Sequence, residues 1–245
     1  MTQNGGQRRI VRFETIGSTM TEAARLAADG CPSGTVVAAE EQTAGQGRHG
    51  HFWHSERGAG LYLSIVLRLR LPADSLPVLT MALGLAAADA IHRVTGLQPD
   101  LRWPNDVLLN GRKVAGILVQ LTADAAIAGI GINVNHTALP PGLADEATSL
   151  RIATGRPQSR DELLAALLAA IDVHTNLLVE SGRAAVLDLF TRQSSFVHGR
   201  RVRVEQPGGY LEGVSAGLDG AGFLIVRADD GSETTILAGG VRPAI

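Results

Sequence analysis

The pattern of secondary structure that the sequence predicts changes at Ser195, and this change divides the chain into two parts. Before it, apolar strands alternate with helices such as the one predicted over Ser75 to Val94. After it, only short alternating segments remain, separated by turn sequences such as Pro207-Gly208-Gly209. Such segments between turns are typical of a small β-barrel or sandwich. We therefore predict an α+β domain over residues 1–195, built on a mixed sheet flanked by helices, and an all-β domain over residues 196–245.

Charge and composition exclude several classes of protein. The 245-residue chain has a formal net charge of −2, which argues against a surface that binds nucleic acid throughout. Its single cysteine, Cys31, cannot form an internal disulfide or a cysteine metal cluster. Met1 to Arg9 is polar and lacks the apolar core of a signal peptide, and no apolar run approaches about 18 residues. We therefore expect a cytoplasmic protein without a membrane span, with no room before the first strand for a helix-turn-helix domain.

The basic residues are 21 arginines and one lysine, Lys113. Most surface positions accept either cation, so a coding bias toward arginine is usually silent. A lysine that persists against this bias marks a position that needs a compact, flexible ammonium group, or it persists by chance.

A glycine-rich segment, Gln42 to Gly50, interrupts the predicted strands. Its glycines allow backbone N–H groups to converge on an anion, and Arg48 adds a charge that can bind phosphate or carboxylate through two hydrogen bonds. Trp53 offers a flat face for a heterocycle. The alternative is a flexible surface loop. Three histidines, His49, His51 and His54, are only a weak metal signal in such a loop, and we expect no protein-bound metal.

Two further segments carry unusual residues. In Arg102-Trp103-Pro104-Asn105-Asp106, the proline forces an irregular backbone between two short strands. The following Asn110-Gly111 pair predicts a hairpin, which would bring Asp106 near Lys113. Glycines also alternate in the apolar strand that contains Gly129-Ile130-Gly131. Either a ligand approaches this strand closely or a helix packs tightly against it.

Together these segments resemble the biotin protein ligases. The family's loop GRGRxGRxW corresponds to GQGRHGHFW here, KWPND to RWPND, and GxKxAGIL to GRKVAGIL, while GIGINVN is unchanged. Gly17-Ser18-Thr19 also matches, and the motif order and spacing fit over about residues 10–245. The resemblance is to the short form of the family, without an N-terminal DNA-binding domain, and it implies a small SH3-like C-terminal β-barrel.

The resemblance implies a two-step ligase reaction. Biotin and Mg-ATP would form biotinyl-5′-adenylate and pyrophosphate, and the biotinyl group would pass to a lysine of a biotin carboxyl carrier domain of a carboxylase. The implied partners are biotin, ATP and that carrier, with no specific DNA; the sequence does not decide between a monomer and a homodimer. A lipoate-type ligase of the same fold and an inactive biotin-binding regulatory protein are the alternatives. The RWPND and GRKVAGIL pair favours biotin.

By resemblance, Lys113, Arg48 and Asp106 are the catalytic residues, with Asp106 placed to orient or deprotonate the incoming lysine. The implied biotin site comprises Ser18, Thr19, Gln42, Gly45, Gln46, Lys113, Gly116 and Gly129. The implied ATP site comprises Arg48, Trp53, Asn105, Lys113, Asn133 and Arg242. The chain departs from the family at Gln46, where many members have arginine, at Arg102, which replaces a lysine, and at His51 and Phe52, which replace commoner basic residues.

Overall fold

A computed structural model describes residues 8–122, 124–206 and 209–244. The predicted mixed sheet of the α+β domain is confirmed and has seven strands in the order β1-β2-β3-β7-β6-β5-β4. β1 and β2 are parallel, and every other neighbouring pair is antiparallel. The strands are β1 (Ile10–Phe13), β2 (Val36–Ala39), β3 (Gly60–Leu67), β4 (Asp100–Arg102), β5 (Asp106–Leu109), β6 (Arg112–Leu121) and β7 (Ala126–Asn133).

Among the described residues, four α-helices accompany this sheet: α1 (Thr19–Ala28), α2 (Leu76–Thr95), α3 (Leu150–Thr154) and α4 (Arg160–Gln193). The sequence predicts Ser18 as the N-cap of a short helix that ends at Gly30, and Ser18 does cap α1, since its side chain accepts a hydrogen bond from the Met20 N–H. The sequence predicts two helices where α4 lies, over Leu163 to Val179 and Ala184 to Arg192, and Gly182, with φ 79°, is the break between them. The predicted capping box before the first of them is present, since the Ser159 side chain accepts a hydrogen bond from the Glu162 N–H. α3 was not predicted, because five residues are too few to show a helical period.

The two long helices α2 and α4 are apolar enough, by length and composition, to cross a membrane. Core helices pass the same test, and 67% of the apolar window of α2 is buried inside the fold. The finding is therefore weak evidence for a membrane span.

The two faces of the sheet are filled differently, because successive side chains on a strand point to opposite faces. On one face, Leu63 of β3 and Ile130 of β7 join the main core with α2 and α4. On the other face, Val66 and Ile127 pack against α1 in a smaller cluster. The glycines of β6 and β7 also lie on this second face, where the absence of their side chains lets residues of other elements approach the sheet closely.

Beyond α4, the predicted all-β domain is confirmed as a five-stranded antiparallel sheet of SH3-like type. Its strand order is β11-β10-β9-β8-β12. Trp103 joins it to the first domain, because its indole N–H donates a hydrogen bond to the Gly222 carbonyl at 2.9 Å. The short last strand was not predicted from the sequence. The strands are β8 (His198–Gln206), β9 (Gly209–Leu218), β10 (Leu224–Arg227), β11 (Glu233–Ile236) and β12 (Val241–Pro243).

Candidate active site

The β5–β6 hairpin brings together the charged residues that the sequence singled out. Asn110 and Gly111 form its turn with φ 51° and 75°, the left-handed values that an Asn-Gly hairpin turn requires. Lys113 Nζ consequently lies 2.5 Å from Asp106 Oδ1, so the predicted proximity of these two residues is confirmed.

Asp106 is held by a second cation that was not predicted as a site residue. Arg102 faces Asp106 across the β4–β5 pair and donates to its Oδ2 from Nη2 at 2.7 Å and from Nε at 3.2 Å. The Arg102 and Asp106 side chains are only 7% and 12% exposed. The signal for this pair was present in the sequence, because the two residues flank the bend at Pro104.

Electrostatics keep the Asp106 carboxylate ionised. Burial acts to raise the pKa of Asp106, but the charges of Lys113 and Arg102 outweigh this effect and hold that pKa below its ordinary value. A carboxylate in this state is a weak proton acceptor for as long as both cations remain beside it.

Arg48 approaches the same point from the glycine-rich loop. It begins a 3₁₀ turn, Arg48–Gly50, and its Nη1 donates to Asn105 Oδ1 at 3.0 Å. Asn105 is itself fixed, because its Nδ2 donates to the Ile117 carbonyl of β6. Burial lowers the pKa of the Arg48 guanidinium, and the nearby Asp106 charge opposes this shift. A partly desolvated cation of this kind is suited to bind an anion.

Trp53 covers two of the glycines in the sheet. A Cβ atom on Gly131 would lie 2.4 Å from the Trp53 ring, and one on Gly116 would lie 2.9 Å from it. Lys113 Nζ lies 5.3 Å from the ring centroid. The Trp53 indole nitrogen is buried and has no hydrogen-bond acceptor among the described residues. The space above these glycines is therefore filled by the loop tryptophan rather than left open.

Gly129 has a different neighbour. A Cβ atom there would lie 2.6 Å from Met20 Sδ of α1. Of the two alternatives for the alternating glycines, tight packing against a helix is confirmed at Gly129, whereas Gly131 is approached by the Trp53 side chain.

A buried polar network lies beside this strand. Gln42 Oε1 accepts from both the N–H and the hydroxyl of Thr19, at 2.8 and 3.0 Å, and Gln42 Nε2 donates to Ser55 Oγ at 3.0 Å. The Thr19 and Ser64 hydroxyls are 2.8 Å apart. Ser64 was not predicted as a site residue; the signal was a hydroxyl inside an otherwise apolar strand.

The site contains two adjoining cavities of about 50 and 310 Å³. The residues common to both cavities are Gly47, Arg48, Trp53, Asn105 and Lys113. Six predicted biotin-binding residues line the smaller cavity: Thr19, Gln42, Gln46, Lys113, Gly116 and Gly129. All six predicted ATP-binding residues line the larger one: Arg48, Trp53, Asn105, Lys113, Asn133 and Arg242. Asp106 also lines the larger cavity.

Two predicted biotin-binding residues do not line the smaller cavity. Ser18 is 4% exposed and caps α1. The Gly45 carbonyl accepts from the Trp53 N–H at 2.9 Å, and a Cβ on Gly45 would lie 2.4 Å from the Trp53 carbonyl oxygen. Ser18 and Gly45 therefore support the residues that form the cavity wall and do not line it themselves.

Arg242 and Asn133 are anchored at the rim of the larger cavity. Arg242, on β12, lies 3.0 Å from Glu146 Oε2, an ion pair that links the two domains. Asn133 Nδ2 donates to the Thr148 carbonyl at 3.0 Å. Both side chains line the larger cavity and are held in place by these contacts.

Comparison with known proteins places this geometry in a family. Residues 13–136 match the model of the biotin/lipoate A/B protein ligase family, and residues 197–241 match the biotin protein ligase C-terminal domain. The chain is 34% identical to the bifunctional ligase/repressor BirA of Bacillus spizizenii over 91% of this chain and 70% of that protein. It is 33% identical to the biotin--[acetyl-CoA-carboxylase] ligase of Mycobacterium tuberculosis over 96% of this chain and 88% of that protein.

A solved structure shares the whole architecture. The biotin protein ligase from Aquifex aeolicus in complex with biotin and ATP superposes with a TM-score of 0.85 at 29% identity, covering 96% of this chain and 98% of that one. With two family models matched in order along its length, the chain belongs to the biotin/lipoate protein ligase family and, within it, to the biotin protein ligases.

Proposed function

We propose that this protein is a biotin–[biotin carboxyl carrier protein] ligase, which activates biotin with ATP and transfers it to a lysine of a carrier domain. The observation that carries the proposal is the meeting of two cavities at Lys113 and Arg48, the smaller for biotin and the larger for ATP. Relatives and structures named for biotin ligation support it. We propose further that residues 1–195 form the catalytic domain and residues 196–245 the C-terminal domain.

In the first step, a biotin carboxylate oxygen attacks the α-phosphorus of ATP, and the bond to the β-phosphate breaks to release pyrophosphate. Two anions must approach each other, so cations at the junction lower the barrier. Lys113 moves from Asp106 to bridge the carboxylate and the α-phosphate, while Asn105 holds Arg48 beside them. The Arg102 contact keeps Asp106 paired when Lys113 leaves.

Trp53 must move for the ligands to bind. In this structure its ring covers Gly116 and Gly131, where the two cavities meet. We expect biotin and ATP to displace the indole, which then stacks on the adenine while the glycine-rich loop closes. Closure protects the mixed anhydride from water.

In the second step, the carrier lysine attacks the biotinyl carbonyl carbon, an amide bond forms and AMP leaves. Asp106 lines the larger cavity and accepts the proton from the incoming ammonium group. Movement of Lys113 onto the adenylate removes one of the charges that lower the pKa of Asp106, so the carboxylate becomes a better base when it is needed.

We infer that Mg²⁺ arrives on the ATP phosphates. Of the three carboxylates that line the larger cavity, Asp106 is paired with Lys113 and Arg102, and Glu146 is paired with Arg242. The third, Glu205, lies exposed to solvent on β8. The ion fits phosphate oxygens better than side chains already engaged by cations. We also propose a cytoplasmic location and no sequence-specific DNA binding by residues 8–244.

The decisive experiment measures pyrophosphate release with each acid. Biotin plus ATP should give a burst of pyrophosphate, and adding a carrier domain should raise its mass by one biotinyl group. Lipoate plus ATP should give neither signal. A pyrophosphate burst with lipoate and ATP but not with biotin and ATP would identify a lipoate-type ligase. Binding of biotin without release of pyrophosphate would identify a regulatory protein.

A further inference from the structure

Three potential metal ligands that lie close together have no role in the proposed reaction. His54 and Glu56 follow Trp53 at the end of the glycine-rich loop, and His136 follows β7. One ligand atom from each of the three residues lies within 4.8 Å of the others. His54 Nε2 and Glu56 Oε2 are 3.9 Å apart. The fold has therefore brought His54 and Glu56 to a distant histidine, His136, and the loop histidines His49 and His51 are not part of this cluster.

The hydrogen bonds of His136 leave one ring nitrogen free. The Tyr62 hydroxyl donates its single proton to the Glu56 carbonyl at 3.1 Å. Its oxygen, 3.3 Å from His136 Nε2, must then accept a hydrogen bond from that nitrogen. His136 Nδ1 therefore carries a bare lone pair, and it is buried without a partner among the described residues.

This arrangement is the one found in metal-binding histidines. A histidine ligand ordinarily donates its second N–H to a neighbouring acceptor, which fixes the tautomer and the ring. Here Tyr62 supplies that acceptor, and His136 is only 2% exposed.

The three donors suit one class of ion. Two imidazoles and a carboxylate are a common zinc ligand set, and bonds of roughly 2.0–2.2 Å place tetrahedral ligands about 3.4 Å apart. The His54–Glu56 separation of 3.9 Å exceeds this value by about 0.5 Å, and the other two separations are no more than 4.8 Å. The His54 and Glu56 side chains are 35% and 57% exposed. Because they are partly exposed, the His54 and Glu56 side chains can move toward the buried His136.

We propose that His54, Glu56 and His136 form a binding site for Zn²⁺ or a similar first-row divalent ion, with water in the fourth position. The ion would link His54, which follows Trp53 in the loop, to His136, which follows β7. His54 also lines the larger cavity, so the site lies at its wall. This proposal replaces the expectation of no protein-bound metal, and it does not depend on the ligase reaction.

The test is a metal titration of the full chain without ATP. Chelator-stripped protein is titrated with Zn²⁺ in competition with a chromogenic chelator, and Co²⁺ serves as a spectroscopic substitute. We expect one Zn²⁺ per chain, Co²⁺ absorption typical of tetrahedral coordination, and no competition from Mg²⁺, which prefers oxygen ligands.

Variants locate the site. His54→Gln and Glu56→Gln alter partly exposed side chains, and each should weaken zinc binding at least about tenfold. His51→Gln is the matched control, because His51 is an exposed histidine of the same loop outside the cluster. It should bind zinc as the unchanged protein does. Absence of stoichiometric zinc, or equal losses in His51→Gln and His54→Gln, would overturn the proposal.

Discussion

Replacing Lys113 by arginine tests the central assignment, because it keeps the charge and changes only its shape. We expect Lys113→Arg to fold normally and to lose most adenylation. In the structure, Nζ lies 2.5 Å from Asp106 Oδ1, 5.3 Å from the Trp53 ring centroid, and 3.1 Å from where a Cβ on Gly116 would lie. A planar guanidinium is wider than an ammonium group and has to fit between these three neighbours.

The expected loss follows from the shape of the guanidinium in the reacting site. The ammonium group has to turn from Asp106 to a carboxylate and an α-phosphate, and a guanidinium would displace one of these anions. Misplacement by about 1 Å at a reacting centre can cost roughly a hundredfold in rate. We therefore expect pyrophosphate release to fall at least ~100-fold, which corresponds to about 2.7 kcal/mol of transition-state stabilisation.

Stability should change little, because arginine can still pair with Asp106 and Arg102 remains on the other carboxylate oxygen. The assay is pyrophosphate release at saturating biotin and ATP, together with thermal unfolding. Arg112→Lys, an exchange of the same two residue types at the exposed neighbouring position, is the control and should leave the rate unchanged. Turnover by Lys113→Arg close to that of the unchanged protein would refute the assignment and show that this lysine persisted by chance.

Three further outcomes are expected. Residues Gln42 to Trp53 should gain hydrogen-exchange protection when biotin and ATP bind, because the anionic ligands accept hydrogen bonds from the backbone N–H groups of this segment. Equal protection with and without the ligands would contradict this expectation. Asp106→Asn should destabilise the fold by about 3 kcal/mol at pH 7, because it leaves the buried Arg102 unpaired. The pKa of Asp106 is lowered in the folded state, so its stabilisation is complete above the unfolded value of about 4 and disappears as pH falls through the folded value. The free energy of unfolding in urea should therefore differ less between the unchanged protein and Asp106→Asn below about pH 4. A difference in unfolding free energy that does not change with pH would argue against the ion pair. With a net charge of −2, the protein should give no salt-resistant, sequence-selective shift of DNA at nanomolar concentration.

Local signals predicted the parts of the fold that depend on neighbouring residues. The Asn110-Gly111 turn followed from its backbone requirements, and the caps at Ser18 and Ser159 followed from side chains that accept N–H groups. Because that turn sets the hairpin register, the sequence also predicted that Asp106 and Lys113 meet. α3 and β12 were missed, since elements of five and three residues are too short to show a period.

Motif order in the sequence determined the family, and with it the residues proposed for biotin and ATP. The sequence could not determine which partner occupies the space above each glycine, because this depends on chain segments far apart. Only the tertiary structure placed Trp53 over Gly131 and Met20 against Gly129. It also brought His54 to His136, more than eighty residues away, where burial and the Tyr62 hydroxyl leave one imidazole nitrogen free to bind an ion.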